Sequence, residues 1–104
     1  MIYELRTYNV KPEAAVDVVA LYQAEGWPEL AAWKQNLVGY FTTDIGPLHQ
    51  IVHLWKFADH AARDHQWTTL RANPKFAEFG RKIRPMLHSQ ENKIMKLAPW
   101  SPAV

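Results

Sequence analysis

Polar and apolar residues alternate through IYELRTYN, residues 2–9, with aromatic and β-branched types among them, a pattern that predicts a strand. Lys11-Pro12-Glu13 then opens a helix, since proline is preset for the first helical position and Glu13 suits the positive end of the helix dipole. Ala15, Val18, Val19 and Tyr22 make one apolar stripe at helical spacing, which needs a sheet to cover. Gly26-Trp27-Pro28 interrupts it, because proline removes a hydrogen bond and restricts the residue before it. Leu30 and Trp33 resume it, so the expectation is one kinked helix or two short ones.

Leu37 to Asp44 reads as a second strand, Ile45-Gly46-Pro47-Leu48 as a turn and His49 to Phe57 as a third strand, and so short a link predicts an antiparallel hairpin. Asp59 suits the N-cap of a helix over 60–71. Asn73-Pro74 opens another, with Phe76, Phe79 and Ile83 on one face and Pro85 at its end. QENKIMKL, residues 90–97, is the best candidate for a fourth strand, and APWSP reads as an irregular tail. The order strand, helix, strand, strand, helix, strand predicts one α+β, ferredoxin-like βαββαβ domain over residues 1–104. Its four-stranded antiparallel sheet carries the helices on one face and leaves the other bare.

Alternation then assigns the faces. Gln50, Val52, Leu54 and Lys56 are expected under the helices, with Tyr3 and Leu5 beside them. His49, Ile51, His53, Trp55 and Phe57, with Glu4, Arg6 and Tyr8, then point to the bare side; strand two adds Phe41 and Thr43, or Tyr40 and Thr42 if its register shifts by one. A face so aromatic calls for a cover. A second copy stacking its own sheet on it would enclose a partly polar chamber.

Composition adds exclusions. With 48% apolar and 21% charged residues the chain belongs to the folded class. At a net charge of +2 the basic residues are scattered, except for Arg81, Lys82 and Arg84, which read as a solvated helix face; no nucleic-acid partner is expected. The absence of cysteine excludes disulfides, thiolate metal sites and a cysteine nucleophile. No apolar run approaches the roughly 18 residues of a membrane span. No leader precedes Ile2, so the expected location is the cytoplasm.

The candidate chemistry lies on strands one to three. His53 carries an imidazole able to move protons near neutral pH; the alternative is a structural histidine bonded to a neighbour such as Glu4. Glu4 and Arg6 would orient a polar ligand, or pair with one another, and Tyr8, Phe41 and Trp55 would form walls. No metal site is expected: His49 and His53 share a face but stand roughly 13 Å apart at ~3.3 Å per residue, too far to share an ion. His60 and His65 point to different sides of their helix. No phosphate loop, nucleophile elbow or paired catalytic carboxylates occur, so no cofactor is expected, although haem held by a single histidine stays open.

MIYELRTYNVKP, LVGYFTTDIGPLHQIVHLWKF and SQENKIMKLAPWSP, in that order, resemble the NIPSNAP family of the dimeric α+β barrel superfamily, and the resemblance covers essentially the whole chain. It implies a ferredoxin-like subunit and a homodimer. Animal members are associated with mitochondria and with vesicle traffic or mitophagy signalling, and they carry an N-terminal extension that this sequence does not show, so that role is not carried over. The wider superfamily includes cofactor-free monooxygenases, haem-degrading enzymes and polyketide cyclases that use the barrel interior, an analogy at the level of fold. The expected function is binding of a small planar or aromatic molecule inside the barrel, with metal-free catalysis on it left open. The alternative is a non-catalytic interaction module whose barrel face is only a dimer interface.

Overall fold

A computed structural model describes residues 1–104. Strands β1 (Ile2–Val10), β2 (Leu37–Thr42), β3 (Gln50–Phe57) and β4 (Leu87–Met95) form one antiparallel sheet in the order β2-β3-β1-β4. Helical segments fill the two connections β1–β2 and β3–β4, which gives the expected βαββαβ order. The fourth strand starts earlier than its apolar pattern suggested, at Leu87, because Pro85 lies in a short 3-10 turn from Arg84 to Met86 that feeds straight into the sheet.

The first connection is one helical rod with a change of pitch. Helix α1 (Ala15–Leu21) passes through a π-helical turn, Tyr22–Gly26, into α2 (Trp27–Leu30) and a 3-10 segment, Ala31–Asn36. The Trp27 amide reaches back five residues to the Tyr22 carbonyl just before Pro28, whose nitrogen has no proton to donate. Gly26 is buried in this turn against Phe79: a Cβ there would stand 2.6 Å from the ring's Cζ. The interruption read from Gly26-Trp27-Pro28 is therefore a π turn closing onto the second helical layer.

That layer comprises α3 (His60–Ala72) and α4 (Pro74–Ile83). Asp59 caps α3 by accepting from the Ala62 amide at 2.8 Å, and Asn73 caps α4 by accepting from the Lys75 amide at 3.0 Å. Both caps fall where the sequence predicted them.

The sheet faces are the reverse of the sequence assignment. Ile51, His53, Trp55 and Phe57 alternate as the buried set of β3 and pack beneath the helices. Around Tyr8, Val10, Val18, Ile51, Phe79 and Ile83 lies one apolar cluster, and around Ile2, Leu30, Trp55, Phe57, Trp67 and Leu70 a second. Glu4, Arg6 and Tyr8 sit on that covered side too, whereas Leu5, Val52 and Leu54 face away from the helices. Both alternating sets of β3 are apolar enough to be a core, and volume decides between them. Trp and Phe rings bury more area than Val and Leu and fill the deep space between layers.

Candidate functional site

Strand register builds the site. His53 stands opposite Arg6 on β1 and opposite Tyr40 on β2, while Glu4 is paired with Trp55 and Tyr8 with Ile51. Five of the six residues singled out from sequence, Glu4, Arg6, Tyr8, His53 and Trp55, therefore share one sheet face, but beneath the helices of their own chain instead of on an open barrel face.

Phe41 departs from the group: it pairs with Val52 on the other face and is 57% exposed. A bulge between Leu37 and Gly39 shifts the β2 register and turns Tyr40, not Phe41, toward His53. The Tyr40 ring stacks on the imidazole at 4.2 Å between centroids, and the Tyr8 ring meets it edge-on at 5.0 Å.

Glu4 is fully buried and fully engaged. Its Oε2 accepts from Arg63 at 2.8 Å and from Arg6 at 3.2 Å, and its Oε1 accepts from the Trp67 indole at 2.7 Å. Burial alone would push this carboxyl up. The hydrogen bond and charge of Arg63, the charge of Arg6 and the Trp67 bond outweigh it and hold the group below the usual carboxylate range. The Glu4–Arg6 pairing weighed from sequence is thus present, joined by two α3 residues one turn apart. Their only signal in the sequence was the i, i+4 spacing of Arg63 and Trp67 on a capped helix.

His53 does not bond Glu4. Trp55 donates its indole N–H to His53 Nδ1 at 2.7 Å, and Nε2 is buried without a partner. Burial, and then the nearby Arg6 charge, lower the pKa of this imidazole to about 2, so the ring is neutral at any physiological pH. Arg6 donates Nε–H to the Tyr8 hydroxyl at 3.1 Å and lies over the Trp67 ring at 4.4 Å. Burial raises the pKa values of the Tyr8, Tyr22 and Tyr40 hydroxyls, so all three keep their protons.

A cavity of about 260 Å³ between the sheet and the helices is walled by Arg6, Tyr8, Tyr22, Tyr40, His53 and Trp67, whereas Glu4 and Trp55 stand behind its wall. Arg71 and Arg84 also line it. Arg84 is exposed, as the expectation of a solvated face required, yet its side chain borders this space, while Arg81 pairs with Glu78 and Lys82 with Glu25. A second, open groove of about 350 Å³ runs along the β2 edge past Val19, Trp27, Tyr40 and Phe41 and has no charged residue in its walls.

A four-stranded antiparallel sheet with its helices on one face and a cavity between the layers defines a ferredoxin-like α+β subunit. Its fold matches that of an antibiotic biosynthesis monooxygenase, with a TM-score of 0.68 at 19% identity over 95% of this chain and 100% of that one. The NIPSNAP family model matches residues 3–102, and the chain belongs to the NIPSNAP family. It is 38% identical to Atu4242 from Agrobacterium tumefaciens, with a TM-score of 0.90 and full coverage of both chains. To protein NipSnap homolog 2 of Mus musculus it is 32% identical over 98 residues, 90% of this chain and 34% of that protein. The chain thus spans about a third of that curated relative. No helix is long and apolar enough to cross a membrane.

Proposed function

We propose that the chain binds a small planar molecule in the cavity between its sheet and its helices, held by aromatic walls and by polar groups that need no metal. The observation that carries this reading is a cavity of about 260 Å³ lined by His53, an imidazole whose Nε2 is buried without a partner. An orphaned buried donor costs ~1–3 kcal/mol, a cost that a ligand in the cavity would relieve. The volume falls just below the roughly 300–1,000 Å³ typical of small-molecule sites, which suits a compound of one or two rings.

The test is a titration with 2-naphthol, followed through the indole N–H resonances. Trp67 lines the cavity itself, and Trp55 donates to His53 in its wall. Their signals are expected to shift together; shifts confined to Trp27, in the β2-edge groove, would contradict the reading.

A second copy of the chain is the occupant we assign to the uncovered sheet face. Leu5 is paired with Leu54 and Thr7 with Val52, with Gly39 and Phe41 continuing these rows on β2, so an apolar band crosses three strands. Lys93 and Glu91 border the band on β4 with opposite charges, as a self-complementary rim needs. Leu54→Lys is expected to give a monomer by sedimentation equilibrium where the unaltered chain is a dimer. A monomer of the unaltered chain at micromolar concentration would remove this assignment.

A further inference from the structure

We infer that the ligand of this cavity carries an oxyanion, a carboxylate or enolate on a planar apolar body, and that His53 meets it as a fixed Nε2–H donor and not as a base. The inference rests on the reading that the cavity binds a small molecule. It follows from the direction of each hydrogen bond. An indole N–H can only donate, so the His53 nitrogen 2.7 Å from Trp55 Nε1 must be the acceptor and carry no proton. A neutral imidazole with a bare Nδ1 holds its proton on Nε2. Flipping the ring would set a carbon against the indole and orphan the Trp55 proton as well, which rules that arrangement out. The nitrogen left without a partner is therefore a donor.

The other polar groups of the cavity repeat the same polarity. Tyr8 accepts from Arg6 Nε, so its own hydroxyl proton is free to be donated. Tyr22 and Tyr40 line the same wall, their hydroxyls engaged with one another. Arg6 uses Nε on Tyr8 and Nη1 on Glu4, and no bond engages its Nη2. One carboxylate, Glu4, serves both Arg6 and Arg63 through a single oxygen, while Arg63 also feels the charge of Asp64 and lies outside the cavity wall. Arg71 and Arg84 add further positive charge, and the cavity wall contains no Asp or Glu. Guanidinium groups recognise carboxylates and related oxyanions through paired donors, more strongly in a water-poor site than in bulk solvent. A neutral ligand would leave the His53 and Tyr8 donors and the positive wall of Arg6, Arg71 and Arg84 unanswered.

The experiment compares 2-naphthoate with 2-naphthamide, equal in shape and different in charge, by calorimetry on the unaltered protein and on His53→Phe. Naphthoate is expected to bind at least about tenfold more tightly than the amide, and to lose about tenfold in His53→Phe, as removal of one hydrogen bond to a charged group requires. Equal affinity for the two probes, with the Trp55 and Trp67 indole signals still moving, would overturn the oxyanion inference and leave the cavity reading intact. Failure of both probes to move those signals would overturn both. Nitrogen-15 spectra of the unaltered protein supply a measurement independent of any variant: His53 is expected to show a proton on Nε2 alone across about pH 5 to 8, the range in which an ordinary histidine titrates. A proton on Nδ1, or an imidazolium in that range, would overturn the donor assignment.

Discussion

Glu4→Gln probes the charge balance that underlies the site. In the folded chain this carboxylate receives Arg63 at 2.8 Å, Arg6 at 3.2 Å and the Trp67 indole at 2.7 Å. Glutamine keeps an oxygen for the indole but turns an amide donor toward two guanidinium donors. Removing one partner of a buried ion pair costs ~3–5 kcal/mol. The Arg6 and Arg63 side chains retain 15% and 29% of their exposure, so water softens the loss to roughly 2–3 kcal/mol. With a urea slope of ~1 kcal/mol/M for a domain of this size, the unfolding midpoint should fall by about 2–3 M at neutral pH.

The pH dependence has a definite sign. The folded-state pKa of Glu4 lies below the ordinary value of 4.5, so its stabilisation is complete above that value and is lost as pH falls through it toward the folded value. Glutamine cannot titrate, so the gap between the two proteins should narrow below about pH 4.5. A midpoint change under ~0.5 M at neutral pH, or a gap that stays constant into acid, would refute this account of the cluster.

Gly26→Ala forces a methyl against the buried Phe79 ring at 2.6 Å and should cost about 1–3 kcal/mol, read as a lower thermal midpoint; an unchanged midpoint would mean that the π turn yields freely. Asp59→Ala removes the acceptor for the Ala62 amide and should cost ~1 kcal/mol in urea unfolding, whereas Asp59→Asn should recover most of it. Trp67→Phe leaves Glu4 Oε1 without its donor and should cost about 1–3 kcal/mol while raising the pH at which acid unfolding begins.

Element order, both helix caps and the hairpin were legible because each rests on local chemistry: Pro12 after Lys11, Asp59, Asn73-Pro74 and the period-two runs. Grouping of Glu4, Arg6, Tyr8, His53 and Trp55 was legible for the same reason, since residues two apart on paired strands share a face whichever way that face points. Its direction was not. Val52 with Leu54 and Ile51 with Trp55 are both plausible cores, and only the depth of the interlayer space separates them. Phe41 stood in for Tyr40 because one bulged residue in β2 cannot be counted from sequence. Arg63 and Trp67 come to Glu4 from across the fold, 59 and 63 residues away, where no periodicity reaches. The Trp55 to His53 bond joins two residues already recognised as neighbours, yet the tautomer it imposes follows only from the direction of the indole in the fold.

The most direct measurement is native mass spectrometry of the protein purified gently from its own host, beside His53→Phe prepared in the same way. A small acidic adduct on the unaltered chain, depleted in the variant, is the expected result. A bare chain, or an adduct equally retained when the His53 donor is gone, would contradict a ligand site in this cavity.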